Sequence, residues 1–338
     1  MIETSIVPQY RIIAAGAGWI ENSARGRLRF EGADRLAFLQ ALLTNEIESL
    51  RPGAGTYALY LTPQGRMIAD LHVFVRPESL IVDVPAEAAS TLARTFDSLI
   101  FAEDVRVTDI SQDLGQISVM GGGAAAMLAS YSRLDVPAGS PAPRLTEAAV
   151  RDLSVWSQLD IAGGFLVRTD DVADGSWDVV ADRQTLSDLT TAIAKTGAVP
   201  ASAEIVEAMR IEAGRPKFGV DMTSETIPLE AGLLDRAISQ TKGCYVGQEV
   251  IIRVLHRGGG RVAKRLARLH AESPDALVPP AGTALSVEGK DIGHVTSASR
   301  SPRDGHAIAL GYVHRDVAEV RRRVTAERTD FVIAGLAD

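Results

Sequence analysis

Residues 57–75 read YALYLTPQGRMIADLHVFV, and this stretch decides the local architecture around which the rest is arranged. Tyr57 to Leu61 is an apolar run rich in strand formers, Thr62-Pro63-Gln64-Gly65 has turn chemistry, and Met67 to Val75 is long enough for a second strand. The spacing predicts a hairpin. Side chains alternate along a strand, so Met67, Ala69, Leu71, Val73 and Val75 share one face while Ile68, Asp70, His72 and Phe74 share the other. The second face places a carboxylate and an imidazole between apolar residues. Either it faces solvent, or it forms a partly apolar site in which Asp70 holds a proton near neutrality or accepts one from a ligand nitrogen.

Outward from the hairpin, Leu36, Leu39 and Leu43 put one apolar stripe on a helix over 34–43. After the hairpin come a strand at Leu80 to Val84, a helix marked by Leu92, Phe96 and Leu99, and a strand at Gln116 to Met120. A glycine triplet and a helix through Leu128 follow. VPAGSPAPR (136–144) reads as a linker. Phe165 to Arg168 and Trp177 to Val180 read as strands, and Leu186, Leu189 and Ile193 as one face of a helix. Ser202 opens a helix carrying Ile205 and Met209 that ends at Gly214. Past about residue 261, short strand-like runs (TALSVEG, DIGHVTSAS, HAIALGYV, FVIAGL) alternate with turn clusters, the spacing of a small all-β barrel or sandwich.

At 338 residues the chain is long enough for about two domains. Its net charge of −8 argues against a general nucleic-acid coat protein. Cys244 is the sole cysteine, which rules out an internal disulfide, a CxxC pair and a four-cysteine zinc site, and fits a reducing compartment. The N-terminus lacks a basic segment before an apolar one, and its longest apolar stretch, Ile12 to Ile20, is too short to span a membrane. The expectation is a cytoplasmic protein.

Three further places carry chemistry. Gly121-Gly122-Gly123-Ala124-Ala125-Ala126 fits G-x-G-x-x-A after a strand. The acid about 20 residues on, at the end of a second strand, is missing, so an ordinary strand-to-helix turn is favoured over a dinucleotide site. Lys242-Gly243-Cys244-Tyr245-Val246-Gly247-Gln248-Glu249 brackets the sole thiol with glycines, and Lys242 is placed to favour thiolate. Residues 251–270 hold Arg253, Arg257, Arg261, Lys264, Arg265 and Arg268 and no acid. That strip suits either an anionic partner or internal pairing with the acidic remainder of the chain.

Together these motifs resemble those of the YgfZ-type folate-binding proteins, relatives of the glycine cleavage T-protein (aminomethyltransferase). The octapeptide at 242–249 looks like the K-G-C-Y-x-G-Q-E signature of that branch. RIEAGRPKFGVDMTSETIPLEAGL (210–233), GADRLAFLQALLTN (32–45), the hairpin, IGHVTSASRSP and ALGYV are similar to T-protein segments. The resemblance implies an α+β fold in which mixed α/β subdomains ring a central tetrahydrofolate site and a C-terminal β-barrel follows. It divides the chain into a folate-binding region (1–240), a motif and basic loop (241–260) and the barrel (261–338). It implies an accessory role in iron–sulfur cluster assembly or repair, with folate-dependent aminomethyl or methyl transfer or demethylation as the alternative. Cys244 and Asp70 are the implied reactive residues. Asp70, Arg210, Lys242, Tyr245, Gln248, Glu249 and Arg253 are the implied folate contacts. The implied partners are a folate and iron–sulfur client or assembly proteins, with no membrane, no stable nucleic-acid complex, no resident metal and a monomeric state. Three departures stand out. T-proteins carry an acidic pair where this chain has Ala69-Asp70 and a pterin-gripping Glu where it has Ala162, and some YgfZ-type proteins carry folate-site tryptophans where it has Arg25 and Val206.

Overall fold

The computed structural model describes residues 6–131, 145–172, 175–257 and 259–337. The linker expected at 136–144 lies outside them. The chain forms two compact units. One comprises the N-terminal residues through Tyr10, Leu59–Ala69 and everything from Ala203 onward; the other comprises Arg11–Ala58 and Asp70–Ser202.

The second unit is built on two sheets. Its strands, in chain order, are β1 (Gly18–Glu21), β2 (Gly26–Glu31), β3 (Gly55–Leu61), β4 (Met67–Val75), β5 (Ser79–Val84), β6 (Arg106–Asp109), β7 (Leu114–Met120), β8 (Gln158–Ile161), β9 (Gly164–Thr169), β10 (Ser176–Asp182) and β11 (Val199–Pro200). The hairpin is β3–β4, and its turn closes through Thr62 N–H to the Arg66 carbonyl and Gly65 N–H to the Thr62 carbonyl, both at 2.8 Å. Its tip belongs to the first unit and its base to the second. One sheet runs β3-β4-β5-β2-β6 and the other β11-β1-β7-β10-β9-β8.

The expected inward face of β4 is sealed: Met67, Ala69, Leu71 and Val73 have no exposed surface. The opposite face is not the solvent-exposed one that alternation alone allows, since Asp70, His72 and Phe74 are buried as well and only Ile68 emerges. Phe74 and Ile81 of one sheet pack with Phe165, Val167 and Val180 of the other. The far side of the six-stranded sheet buries Ile117, Val119, Leu166 and Val179 under Leu186, Leu189 and Ile193 of the helix Arg183–Ile193. That helix has the apolar spacing expected of it and is capped by Asp182, whose carboxylate accepts from Thr185 N–H at 2.8 Å.

The glycine triplet is a structural turn. Gly121 has φ +113°, and a Cβ there would lie 2.1 Å from the Ile13 carbonyl oxygen. Gly122 N–H donates to the Ala14 carbonyl and Gly123 N–H to the Gly16 carbonyl at 2.6 Å. Amides already bound to the end of the helix Ile6–Ala15 cannot cradle a pyrophosphate.

The first unit holds a closed barrel of six strands: β12 (Lys264–Ala271), β13 (Ala284–Val287), β14 (Lys290–Arg300), β15 (Ala307–His314), β16 (Arg323–Ala326) and β17 (Thr329–Leu336). Closure removes exposed sheet edges, and Leu269, Leu285, Val295, Val313, Val324 and Phe331 fill the interior. The helix Ala203–Ala213 lays Ile211 against Leu266, Leu310 and Tyr312 of the barrel wall. No helix among the described residues is long and apolar enough to cross a membrane.

Candidate functional site

The two sheets of the second unit bring together a buried charged cluster, and β-sheet register explains most of it. Asp83 of β5 stands directly across from His72 of β4 on one side and from Arg27 of β2 on the other. Cross-strand neighbours have Cβ atoms about 5 Å apart, so the three charged side chains form one row. His72 Nδ1 is 3.5 Å from Asp83 Oδ1, and Arg27 Nη2 is 3.7 Å from Asp83 Oδ2. Arg25, in the β1–β2 turn, donates its Nε–H to the same carboxylate. Burial opposes ionisation of Asp83, but Arg25, His72 and Arg27 outweigh it and hold the carboxyl below its usual range.

His72 turns its other nitrogen, Nε2, to Asp171 Oδ2 at 3.1 Å. Burial alone would keep the ring neutral. The Asp171 charge and the hydrogen bonds that the ring donates to Asp171 and Asp83 overcome it and push the pKa up to about 10. His72 is thus an imidazolium at neutral pH, fixed between two carboxylates.

Asp70, two residues earlier on the same face, is 8 % exposed. Its Oδ2 accepts from the Tyr57 hydroxyl at 3.0 Å, while its Oδ1 is buried with no hydrogen-bond partner among the described residues. Burial raises its pKa against the pull of Arg25, His72 and Tyr57. A buried carboxyl oxygen without a donor costs on the order of 1–3 kcal/mol, so it marks a place where a ligand N–H is favoured. Asp178 of β10, across from Ser118, is pushed up to about 6 by burial, with the Asp171 and Asp83 charges adding and Ser118 opposing.

Aromatic rings cover this cluster. The Trp156 indole stacks on His72 with centroids 4.6 Å apart and planes 25° apart, and Tyr57 lies 5.0 Å from His72 and 6.2 Å from Trp156. An indole over an imidazolium gains a cation–π contribution. Trp156 sits at φ +66°, a conformation that bulky residues rarely adopt, and its N–H is held by the Arg168 carbonyl at 2.8 Å. Strain of this kind persists where the surroundings over-determine it, commonly at functional sites.

Of the residues singled out by sequence, Asp70 and His72 belong to this cluster. Arg210 lies in the first unit, where Nε and Nη2 bind Glu207, Nη1 binds Asp221 at 2.7 Å and the Arg215 carbonyl, and Nη2 also reaches Ser297 at 3.2 Å. Each guanidinium nitrogen is spent inside the protein, and the network ties the helix Ala203–Ala213 to β14. In the octapeptide, Lys242 and Tyr245 are buried and meet each other, the ammonium 5.4 Å from the phenol ring centroid. Burial pushes the Tyr245 hydroxyl up to about 12. Gln248 donates to the Gly243 carbonyl at 3.4 Å and opens the short helix Gln248–Ile252, while Glu249 and Arg253 are exposed. Cys244 is exposed, and nothing lies within 4 Å of where a Gly243 side chain would begin.

The basic strip divides. Lys264 lies over the Tyr312 ring at 4.5 Å, Arg268 donates to the Glu212 carbonyl and His270 pairs with Asp304 at 3.0 Å. Arg253, Arg257, Arg261 and Arg265 are exposed and form no ion pair among the described residues.

Sequence reasoning missed Tyr57, Arg27, Asp83, Trp156, Asp171 and Asp178, and met Arg25 only as the residue standing where some YgfZ-type proteins carry a tryptophan. Only Tyr57 had a signal: it starts the strand paired with β4, within reach of the Asp70 face.

Comparison with known proteins agrees with this architecture. The family model for the GCVT N-terminal domain matches residues 2–242, and that for the glycine cleavage T-protein C-terminal barrel domain matches residues 264–333. An aminomethyltransferase of Geobacillus kaustophilus is 26 % identical over 96 % of this chain and 86 % of its own length. A putative chloroplastic transferase of Arabidopsis thaliana is 27 % identical over 90 % of this chain and 67 % of its own length. The crystal structure of the glycine cleavage system aminomethyltransferase T from Bartonella henselae superposes with a TM-score of 0.81 over 97 % of this chain and 88 % of that one, at 18 % identity, which establishes the shared fold. With family models spanning both its mixed α/β region and its barrel, the chain belongs to the glycine cleavage T-protein (GCVT) family.

Proposed function

We propose that this protein binds tetrahydrofolate and serves a folate-dependent one-carbon reaction, an aminomethyl or methyl transfer or a demethylation. The observation that carries the reading is Asp70: a buried carboxyl with a raised pKa and one oxygen lacking a donor. Bound tetrahydrofolate supplies a flat ring with N–H donors and a nitrogen that carries the one-carbon unit. Asp70 Oδ1 accepts an N–H from it, and the raised pKa lets the same carboxyl hold a proton taken from a ligand nitrogen. The Tyr57 hydroxyl fixes the carboxyl plane through Oδ2. The His72 imidazolium, clamped by Asp83 and Asp171, balances the ionised form of Asp70, and Trp156 and Tyr57 exclude water with an aromatic wall. Ala162, exposed in the turn between β8 and β9, offers no carboxylate there. The names of the relatives support a transferase.

Titration with tetrahydrofolate, followed by fluorescence of the three tryptophans, tests the reading, with NAD(H) as the control. Asp70→Asn is expected to weaken binding at least about tenfold, the loss of one charge-assisted hydrogen bond. Equal affinity of variant and wild type, or no binding by the wild type, rejects it.

A second reading rests on Cys244, the sole thiol, exposed within K-G-C-Y-V-G-Q-E. It places the chain in the YgfZ-type branch, as an accessory factor for iron–sulfur client or assembly proteins. One thiolate cannot hold a cluster alone, so Cys244 would share ligation with a partner. Under this reading Cys244→Ala keeps fold and folate affinity yet loses function in a deletion strain. Full recovery of cluster-enzyme activity by the variant removes the thiol's role.

A further inference from the structure

Beside the charged cluster, the second unit contains a cleft of about 370 Å³ that nothing above uses. Its size falls within the range of about 300–1,000 Å³ usual for small-molecule sites. Four segments far apart in sequence form it: the β1–β2 turn with Ser23 and Arg25, Ala86 just after β5, the β6–β7 connection with Ser111 and Gln112, and Arg183 at the start of the helix Arg183–Ile193.

Two guanidiniums define its chemistry. Among the described residues Arg25 donates only Nε–H, to Asp83; its Nη2 is sealed inside the protein, which leaves Nη1 toward the cleft. Arg183 spends only Nε–H, on the Gln112 carbonyl at 3.2 Å. That leaves Nη1 of Arg25 and the terminal nitrogens of Arg183 as donors facing the cleft, charge-assisted partners for an anionic group. Against them stands one acid, Glu21, exposed at the rim and accepting from Ser23 N–H at 3.2 Å. The balance of charge favours a single anionic group.

We infer that this cleft binds a carboxylate, gripped by Arg25 and Arg183. Arg25 also faces Asp70 electrostatically through the row it shares with Asp83 and His72, so the cleft and the carboxyl site have one residue in common. The carboxylate has two possible sources: the glutamate tail of a folate whose ring reaches Asp70, which rests on the function proposed above, or a separate small carboxylate such as free glutamate.

The experiment titrates the full chain with tetrahydrofolate, with tetrahydropteroate (the same ring without glutamate) and with glutamate, for wild type and Arg183→Gln. Arg183 is exposed and makes one hydrogen bond, so the variant retains the fold, which circular dichroism verifies. A preference for tetrahydrofolate over tetrahydropteroate that falls at least about tenfold in the variant, with tetrahydropteroate affinity unchanged, supports the folate tail as the source. Glutamate binding that depends on Arg183, with neither pterin bound, supports a separate carboxylate and rejects the folate reading alone. Pterins that bind without any dependence on Arg183, together with glutamate that does not bind, overturn the cleft while leaving the folate reading standing. Arg25→Lys keeps the charge on Asp83 but loses the fork, and is expected to reproduce the loss for whichever carboxylate binds; unaltered affinity for it likewise overturns the inference.

Discussion

Replacing His72 by Gln should make the stability of this protein depend on pH in a defined way. An ordinary imidazole titrates at 6.5, whereas His72 in the folded chain titrates at about 10. At about 1.4 kcal/mol per pH unit, that gap is worth on the order of 4–5 kcal/mol. The folded value is the raised one, so the stabilisation is complete below pH 6.5 and is lost as pH climbs toward 10. Midway, at pH 8, roughly half remains. The variant has no such group, so wild type and variant should differ most near pH 6.5, and their gap should narrow by about 1.4 kcal/mol per unit between pH 7 and about 9.5. Working above pH 7 keeps Asp178, which titrates at about 6, ionised throughout. Urea denaturation at four pH values in that window reads the slope, because groups untouched by the substitution cancel in the difference. A gap that stays constant with pH, or an NMR titration of His72 centred near 6.5, would refute the clamp by Asp83 and Asp171.

Other substitutions probe separate links. Gly247 holds φ +83°, and a Cβ there would stand 2.5 Å from the Thr62 carbonyl oxygen, so Gly247→Ala should cost about 2 kcal/mol or more and lower Tm by several degrees in calorimetry. Asp221→Asn removes the charge opposite buried Arg210 and should cost about 3–5 kcal/mol in urea melts, whereas the double change with Arg210→Met should recover part of it. A double variant as unstable as the single one would show that the loss is not an uncompensated charge.

The hairpin, the barrel and the helix bearing Leu186, Leu189 and Ile193 were legible because each is fixed by a local period: alternation of two along β4, turn clusters at steady spacing after residue 261, and a three-and-four stripe on the helix. Asp70 and His72 were legible for the same reason, as a carboxylate and an imidazole interrupting an alternating strand. Their cross-strand partners were not. Arg27, Asp83 and His72 meet because three strands align in one register, and register is a long-range property that no single strand announces. Trp156 carries no mark in VWSQ that it turns left-handed and caps an imidazolium. Arg210 looked like a ligand group because it opens a recognisable motif, yet its partners Asp221 and Ser297 arrive from a later loop and from the barrel to absorb its donors. Arginine in a motif names a need for anions, and the fold decides whether the protein meets that need itself.

The glycine triplet has a bearing on how this protein tolerates trimming. Its amides at Gly122 and Gly123 are capped by oxygens belonging to Ala14 and Gly16, so the segment that opens the chain also completes a turn more than a hundred positions later. Removing everything through residue 16 would strand two donors at the head of the helix Ala124–Ser130 and leave the space beneath Gly121 open. The N-terminal helix is therefore a fitted plug, and shortening it should loosen the end of β7 before it disturbs anything nearby in sequence.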